Sequence, residues 1–137
     1  VEIAKIRDEN VLITFPYSLL SEGLQRMIFF TSAIMSNKDS VLVFEEPEAH
    51  SFPHYTKELA EMIALDENNN QYFVSTHNPY FLLSILEKAR ADEVAVFVTY
   101  LKNGQTLVRE LGREEKVRIL DEGLDVFFEL DKFITLD

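Results

Sequence analysis

Two places in the sequence put reactive side chains at the end of an apolar run. Val41-Leu42-Val43-Phe44 leads directly into Glu45-Glu46, and Phe73-Val74-Ser75 leads into Thr76-His77. Adjacent carboxylates delivered by a stiff strand can share the work of phosphoryl transfer, one holding a hydrated Mg²⁺ and the other orienting a water. Successive residues on an extended strand point to opposite sides, so the two acids need not duplicate each other. A histidine at the second strand end can donate a hydrogen bond to a phosphate oxygen. Each feature also has an ordinary explanation, since acids commonly close an apolar strand and a single histidine is commonly structural.

A third element is Ser21-Glu22-Gly23-Leu24-Gln25-Arg26, just ahead of the apolar stretch from Met27 to Met35. A serine and a glycine at a helix N-terminus offer exposed backbone N–H groups and the positive end of the helix dipole to an anion. Ser21 also suits a plain N-cap. Gly23 is harder to read as a stability device, because glycine weakens helices.

The elements that must position these groups follow from periodicity and punctuation. Val1 to Ile6 and Val11 to Phe15, split by the polar Arg7-Asp8-Glu9-Asn10, predict a β-hairpin. Ser21 opens a helix that Lys38-Asp39-Ser40 ends. Val41 to Phe44 is a continuous apolar run, the pattern of a strand covered on both faces. Pro53 to Leu65 carries Leu59, Met62 and Ile63 at helical spacing, and Gln71 to Ser75 is the next strand. Asn78 or Pro79 starts a helix through Leu86. Glu93 to Tyr100 and Thr106 to Leu111 pair across Asn103-Gly104, a two-residue hairpin signal. Glu114 to Leu130 reads as an acidic helix broken near Gly123, and Phe127, Phe128 and Phe133 read as packing residues.

This order predicts an α/β fold, with parallel strands joined by helical crossovers after residue 40 and flanked by β-hairpins. Ligands in such sheets sit beyond the carboxyl ends of the strands, which brings Glu45-Glu46 and Thr76-His77 to one shared edge.

Taken together and in this order, the three elements resemble the ABC-type ATPases, the group of RecF, Rad50, SMC-like and OLD-type proteins. Leu20-Ser21-Glu22-Gly23-Leu24-Gln25-Arg26 resembles the ABC signature, Val41 to Glu46 a Walker B strand with its catalytic glutamate, and Ser75-Thr76-His77-Asn78-Pro79 the switch-histidine loop. Glu45-Glu46-Pro47-Glu48-Ala49-His50, with Pro53 beyond, is more similar to the OLD-type and related stand-alone ATPases than to transporters. The resemblance implies ATP and Mg²⁺ as cofactors, Glu46 as the general base, Glu45 as the Mg²⁺-side carboxylate and His77 as the γ-phosphate sensor. It implies that Ser21, Gly23 and Gln25 bind nucleotide, Ser21 and Gly23 acting in trans, in an ATP-dependent homodimer whose interface includes Pro47 to His50.

Two departures from the family pattern stand out. Glu45 occupies a position usually held by Asp, and no Gly-x-x-x-x-Gly-Lys-Ser/Thr occurs anywhere in the chain. The expectation is therefore a single partial domain over residues 1–137, the C-terminal lobe of a P-loop ABC-ATPase-like fold. Its P-loop lobe would precede Val1, and an exposed sheet edge would favour self-association of the isolated chain.

A net charge of −11 disfavours a broad phosphate-binding surface, so any DNA or nuclease partner would be met through other segments. With no cysteine, disulfide frameworks and thiolate metal sites are excluded. No apolar stretch is long enough to span a bilayer, and a cytoplasmic location is expected. Two other readings remain open at this stage. Glu45, Glu46, Glu48, His50 and His54 could form the site of a metal-dependent hydrolase, although Pro53 interrupts a helix carrying both histidines. The missing P-loop and the acidic charge also suit a non-catalytic assembly module.

Overall fold

The computed structural model describes residues 2–8 and 11–123. Strands β1 (Glu2–Asp8) and β2 (Val11–Pro16) form the expected antiparallel hairpin, with Ile3 opposite Phe15 and Ala4 opposite Thr14. Then follow α1 (Glu22–Ser36), β3 (Val41–Glu45), α2 (Pro53–Ala64), β4 (Gln71–Ser75) and α3 (Pro79–Lys88). Strands β5 (Phe97–Lys102) and β6 (Gln105–Glu110) and helix α4 (Arg113–Glu122) complete the order.

Strands β3 and β4 are parallel, with α2 as the crossover, and their register sets Val43 against Phe73 and Glu45 against Ser75. Among the described residues the apolar run of β3 is covered on one face only, which differs from the two-faced expectation. Phe44 is buried, while Val41 and Val43 are largely exposed and lie beside exposed Phe73 of β4. On the covered face, Phe30 and Ile34 of α1, Phe44, Leu59 and Ala60 of α2, and Phe81 of α3 form one core. Phe30 meets Phe44 edge to face at 5.0 Å, a favourable quadrupolar geometry. A second core joins Leu86 of α3 to Val98, Leu111 and Ile119, so α3 packs on both sides.

Strand β5 begins at Phe97, later than the apolar pattern from Glu93 suggested. Arg90 binds Asp92 at 3.0 Å and Glu93 at 3.6 Å, and the Glu93 N–H donates to the Arg90 carbonyl at 2.9 Å, closing a turn where a strand was expected. Asn103 and Gly104 both take positive φ, 53° and 76°, as a tight two-residue hairpin turn requires. Gly123, at φ 59°, caps α4. The helix expected to continue to Leu130, and Phe127, Phe128 and Phe133, lie outside the described residues.

At the amino ends of β3 and β4, Asp66 organises the loops. One carboxylate oxygen accepts the backbone N–H and side-chain amide of Asn68, and the other accepts Asn70 at 2.8 Å and the Tyr72 hydroxyl at 2.6 Å. Asn70 also takes the Ser40 N–H at 3.0 Å, tying the loop before β3 to the loop before β4. Burial pushes the Asp66 carboxyl up, but hydrogen bonds from Tyr72, Asn70 and Asn68 outweigh it and hold the group below its ordinary 3.8. Burial, reinforced by the bond to Asp66, raises the Tyr72 hydroxyl to about 12.

Gly23 is where α1 meets the segment after β3. A Cβ at this position would lie 2.4 Å from the backbone carbonyl oxygen of His50. Glycine therefore permits a close backbone approach here, which outweighs its poor helix propensity.

Two predictions follow from this packing. In a helix, Gly→Ala ordinarily stabilises by about 0.5–1 kcal/mol, yet Gly23→Ala should destabilise by about 1–3 kcal/mol through forced displacement of backbone. Urea denaturation gives the sign directly. For the loop network, the depressed Asp66 value means its contribution is present above pH 3.8 and fades as pH falls through the folded value. The raised Tyr72 value means its contribution is present below pH 10.0 and fades as pH rises through about 12. The stability difference between the native protein and Tyr72→Phe, about 1.5–3 kcal/mol for a hydrogen bond to a charged acceptor, should be flat near neutrality. It should shrink at both extremes when denaturation is repeated across pH.

Candidate active site

Parallel pairing brings the carboxyl ends of β3 and β4 side by side. Pairing continues one residue past the strands, because the Glu46 N–H donates to the Ser75 carbonyl at 2.9 Å. Glu45 is the last residue of β3 and lies on its uncovered face with Val41 and Val43. Glu46 is not extended as the sequence pattern implied: its φ is 40°, in the left-handed region that costs a non-glycine residue about 1–3 kcal/mol. The turn, more than strand alternation, gives the two carboxylates different settings. Holding it are the Ser75 contact and Arg26, whose Nη2 donates to the Glu46 carbonyl at 2.6 Å.

His77 follows β4, and its Nε2 lies 3.4 Å from Oε1 of Glu46, with the two side chains 83% and 47% exposed. The two residues singled out for catalysis thus meet in an accessible position. A carboxylate beside an imidazole at a sheet edge can orient a water and donate a hydrogen bond to an anion above it. Thr76 points the other way, with its hydroxyl donating to Oε1 of Glu48. Asn78 caps α3, its side chain accepting from the Tyr80 and Phe81 N–H groups at 2.9 and 3.3 Å.

The segment after Glu46 folds tightly. The Ala49 N–H donates to the Glu46 carbonyl at 3.0 Å and the Ser51 N–H to the Glu48 carbonyl at 3.1 Å, with Pro47 fully buried. His50 takes φ 60°, presses its carbonyl toward Gly23, and lies 3.8 Å from Glu22. The N-terminus of α1 is therefore locked to the turn that carries Glu46.

Ser21 and Gly23 line an open cleft of about 310 Å³ with Leu24, His50, Phe52 and Tyr55. Neither Glu46 nor His77 lines it. Ser21 is the N-cap of α1 by backbone position, but its side chain makes no capping hydrogen bond. The side-chain amide of Gln25 turns back to the Leu20 carbonyl at 2.8 Å, and the Gln25 carbonyl accepts from the Tyr17 hydroxyl at 2.6 Å, so Gln25 braces the loop leading into α1.

His50 and His54 do not share a helix: His50 stands in the turn and pairs with Glu22, while His54 on α2 pairs with Glu58 at 3.2 Å. Among the described residues, no group of three or more His, Asp or Glu side chains converges to hold a metal ion. Sequence reasoning gave no distinct role to Arg26, and considered Glu48 only as one of five candidate metal ligands. Arg26 secures the backbone of Glu46, and Glu48 is 6% exposed, although an acid in an acidic run reads as surface.

Residues 5–84 match a family model described as "AAA domain, putative AbiEii toxin, Type IV TA system". No curated protein matches the chain. Among solved structures, one from work described as "Structural biochemistry of ATP-driven dimerization and DNA stimulated activation of SMC ATPases" aligns with a TM-score of 0.56 at 17% identity. The alignment covers 88% of this chain and 80% of that one, which shows a shared α/β fold. No helix among the described residues is long and apolar enough to cross a membrane. The family match takes in more than half of the chain, with every element from α1 to β4 and the meeting point of Glu46 and His77, and the chain belongs to this AAA family of P-loop ATPases, on an SMC-like fold.

Proposed function

We propose that the chain is the C-terminal lobe of an ATP-hydrolysing domain that ATP drives into a homodimer, completed by a P-loop segment outside these residues. The observation that carries the reading is the 3.4 Å approach of Glu46 to His77 across the ends of paired parallel strands. Glu46 takes the proton of the attacking water and His77 donates to the terminal phosphate, roles that need an accessible carboxylate and imidazole at one edge. Glu45 fits a hydrated Mg²⁺ because it leaves β3 on the uncovered sheet face, one methylene longer than the usual Asp. Bound Mg²⁺ supplies charge neutralisation to the phosphates.

Ser21 and Gly23, at the start of α1, address the partner subunit's nucleotide. Support comes from a serine hydroxyl not used to cap its own helix and from the cleft beside it. Gln25 supports that surface by bracing the loop that leads into it. The turn from Pro47 to His50 lies at the dimer interface in this reading. DNA and nuclease contacts belong to other segments, since the net charge of −11 repels phosphate backbones. The cysteine-free sequence suits a reducing cytoplasm.

The test compares the protein, completed by its P-loop segment, with Glu46→Gln. The variant should lose ATP hydrolysis by about 10²–10⁴-fold, the usual contribution of a general base, while still dimerising with ATP. Hydrolysis at the native rate in Glu46→Gln would reject the catalytic assignment. Absence of hydrolysis in both proteins would favour a non-catalytic assembly module.

A further inference from the structure

Glu48 is the acid in this region that the proposed chemistry does not use, and it is the one that is buried, at 6% exposure. Its Oε1 accepts the Thr76 hydroxyl, while Oε2 is buried with no protein partner among the described residues. A carboxyl group held this way costs stability that an apolar side chain of similar size would not. Thr76 is fully engaged in turn: its hydroxyl donates to Glu48 and accepts the Asn78 N–H at 3.0 Å. Both ends of this link adjoin the site, with Glu48 two residues past Glu46 and Thr76 immediately before His77.

We propose that Glu48 is a positioning residue: from the turn after β3 it grips Thr76 and so fixes His77 at its working distance from Glu46. The backbone pairing of Glu46 with Ser75 aligns the two strand ends, but it leaves the direction of the segment beyond Ser75 undetermined. The Glu48–Thr76–Asn78 chain supplies that constraint, because it fastens residues on both sides of His77 to the turn bearing Glu46. Thr76 cannot turn its hydroxyl away without breaking two bonds at once. The proposal rests on the reading of Glu46 and His77 given above.

The experiment uses the protein completed by its P-loop segment and four variants. Thr76→Val removes the hydroxyl at constant shape, and Glu48→Met removes the acceptor at similar volume; Thr76→Ser and Glu48→Gln keep the bond. Thr76→Val and Glu48→Met should lower kcat by up to about 100-fold, the scale of a small misplacement of catalytic groups, with KM for ATP unchanged. Both should shift the His77 ring resonances in NMR spectra, whereas the two conservative variants should recover the rate and the native resonances. Thermal melting separates position from stability, since Glu48→Met should melt no lower than the native protein and still be slow. Native kcat and unmoved His77 resonances in Glu48→Met and Thr76→Val, with Glu46→Gln inactive, would overturn the positioning role and leave the site standing. A Glu46→Gln variant that hydrolyses ATP at the native rate would overturn both. If Thr76→Val does not fold, Glu48→Met decides alone by the same two readouts.

Discussion

Everything at this site depends on the parallel pairing of β3 with β4 in one register. Glu45 opposes Ser75, and the Glu46 N–H reaches the Ser75 carbonyl, so the two strands end together. A shift of one residue would turn Phe44 out of the core and move Glu46 away from His77. The register is held at both ends. Asp66 and Asn70 bind the loops entering the strands, while Arg26 and Glu48 bind the turns leaving them. Between these clamps, Phe30 and Phe44 supply the apolar contact that makes slippage costly.

The turn after β3 carries two of the five non-glycine residues with positive φ among the described residues. Glu46 and His50 both adopt positive φ without being glycine. Both are held from one neighbouring helix, by Arg26 of α1 on the Glu46 carbonyl and Gly23 of α1 beneath the His50 carbonyl. Helix α1 therefore sets the path of the turn as well as covering the sheet. In the domain proposed here, that makes the surface facing a partner's nucleotide mechanically continuous with the carboxylate that acts on the chain's own nucleotide. Strain persists only where surrounding contacts over-determine the conformation, and here a single helix provides two of them.

Most of the fold was legible because its signals are local. Asn103-Gly104 marks a hairpin by backbone preference alone, Pro79 marks a helix start, and the apolar runs of β3 and β4 mark paired strands between helices. The features that were missed depend on partners distant in sequence. An apolar run reads the same whether one face or both are covered, so the exposure of Val41 and Val43 could not be inferred. The packing reason for Gly23 was hidden because His50, whose carbonyl needs the space, is remote along the chain. Glu48 read as one of a run of acids with metal-binding capacity, since nothing before folding says that its carboxylate will meet Thr76. The meeting of Glu46 and His77 was foreseen because parallel topology alone brings those strand ends together.

The alternation that builds the core also dictates what the site can face. Phe44 points into the cluster of α1, α2 and α3, so its neighbours Val43 and Glu45 must point to the opposite side of the sheet. That side carries Val41, Val43 and Phe73, all well exposed among the described residues. A carboxylate at the rim of an uncovered apolar face has one open direction, outward past the strand ends, and another across the bare sheet. Glu45 thus stands where a further layer laid on that sheet would meet it, while Glu46, turned by its positive φ, remains at the edge with His77. The geometry gives the two acids different neighbourhoods from one short strand: burying Phe44 sends Glu45 to the opposite face, and the positive φ of Glu46 turns the second acid away from that alternation.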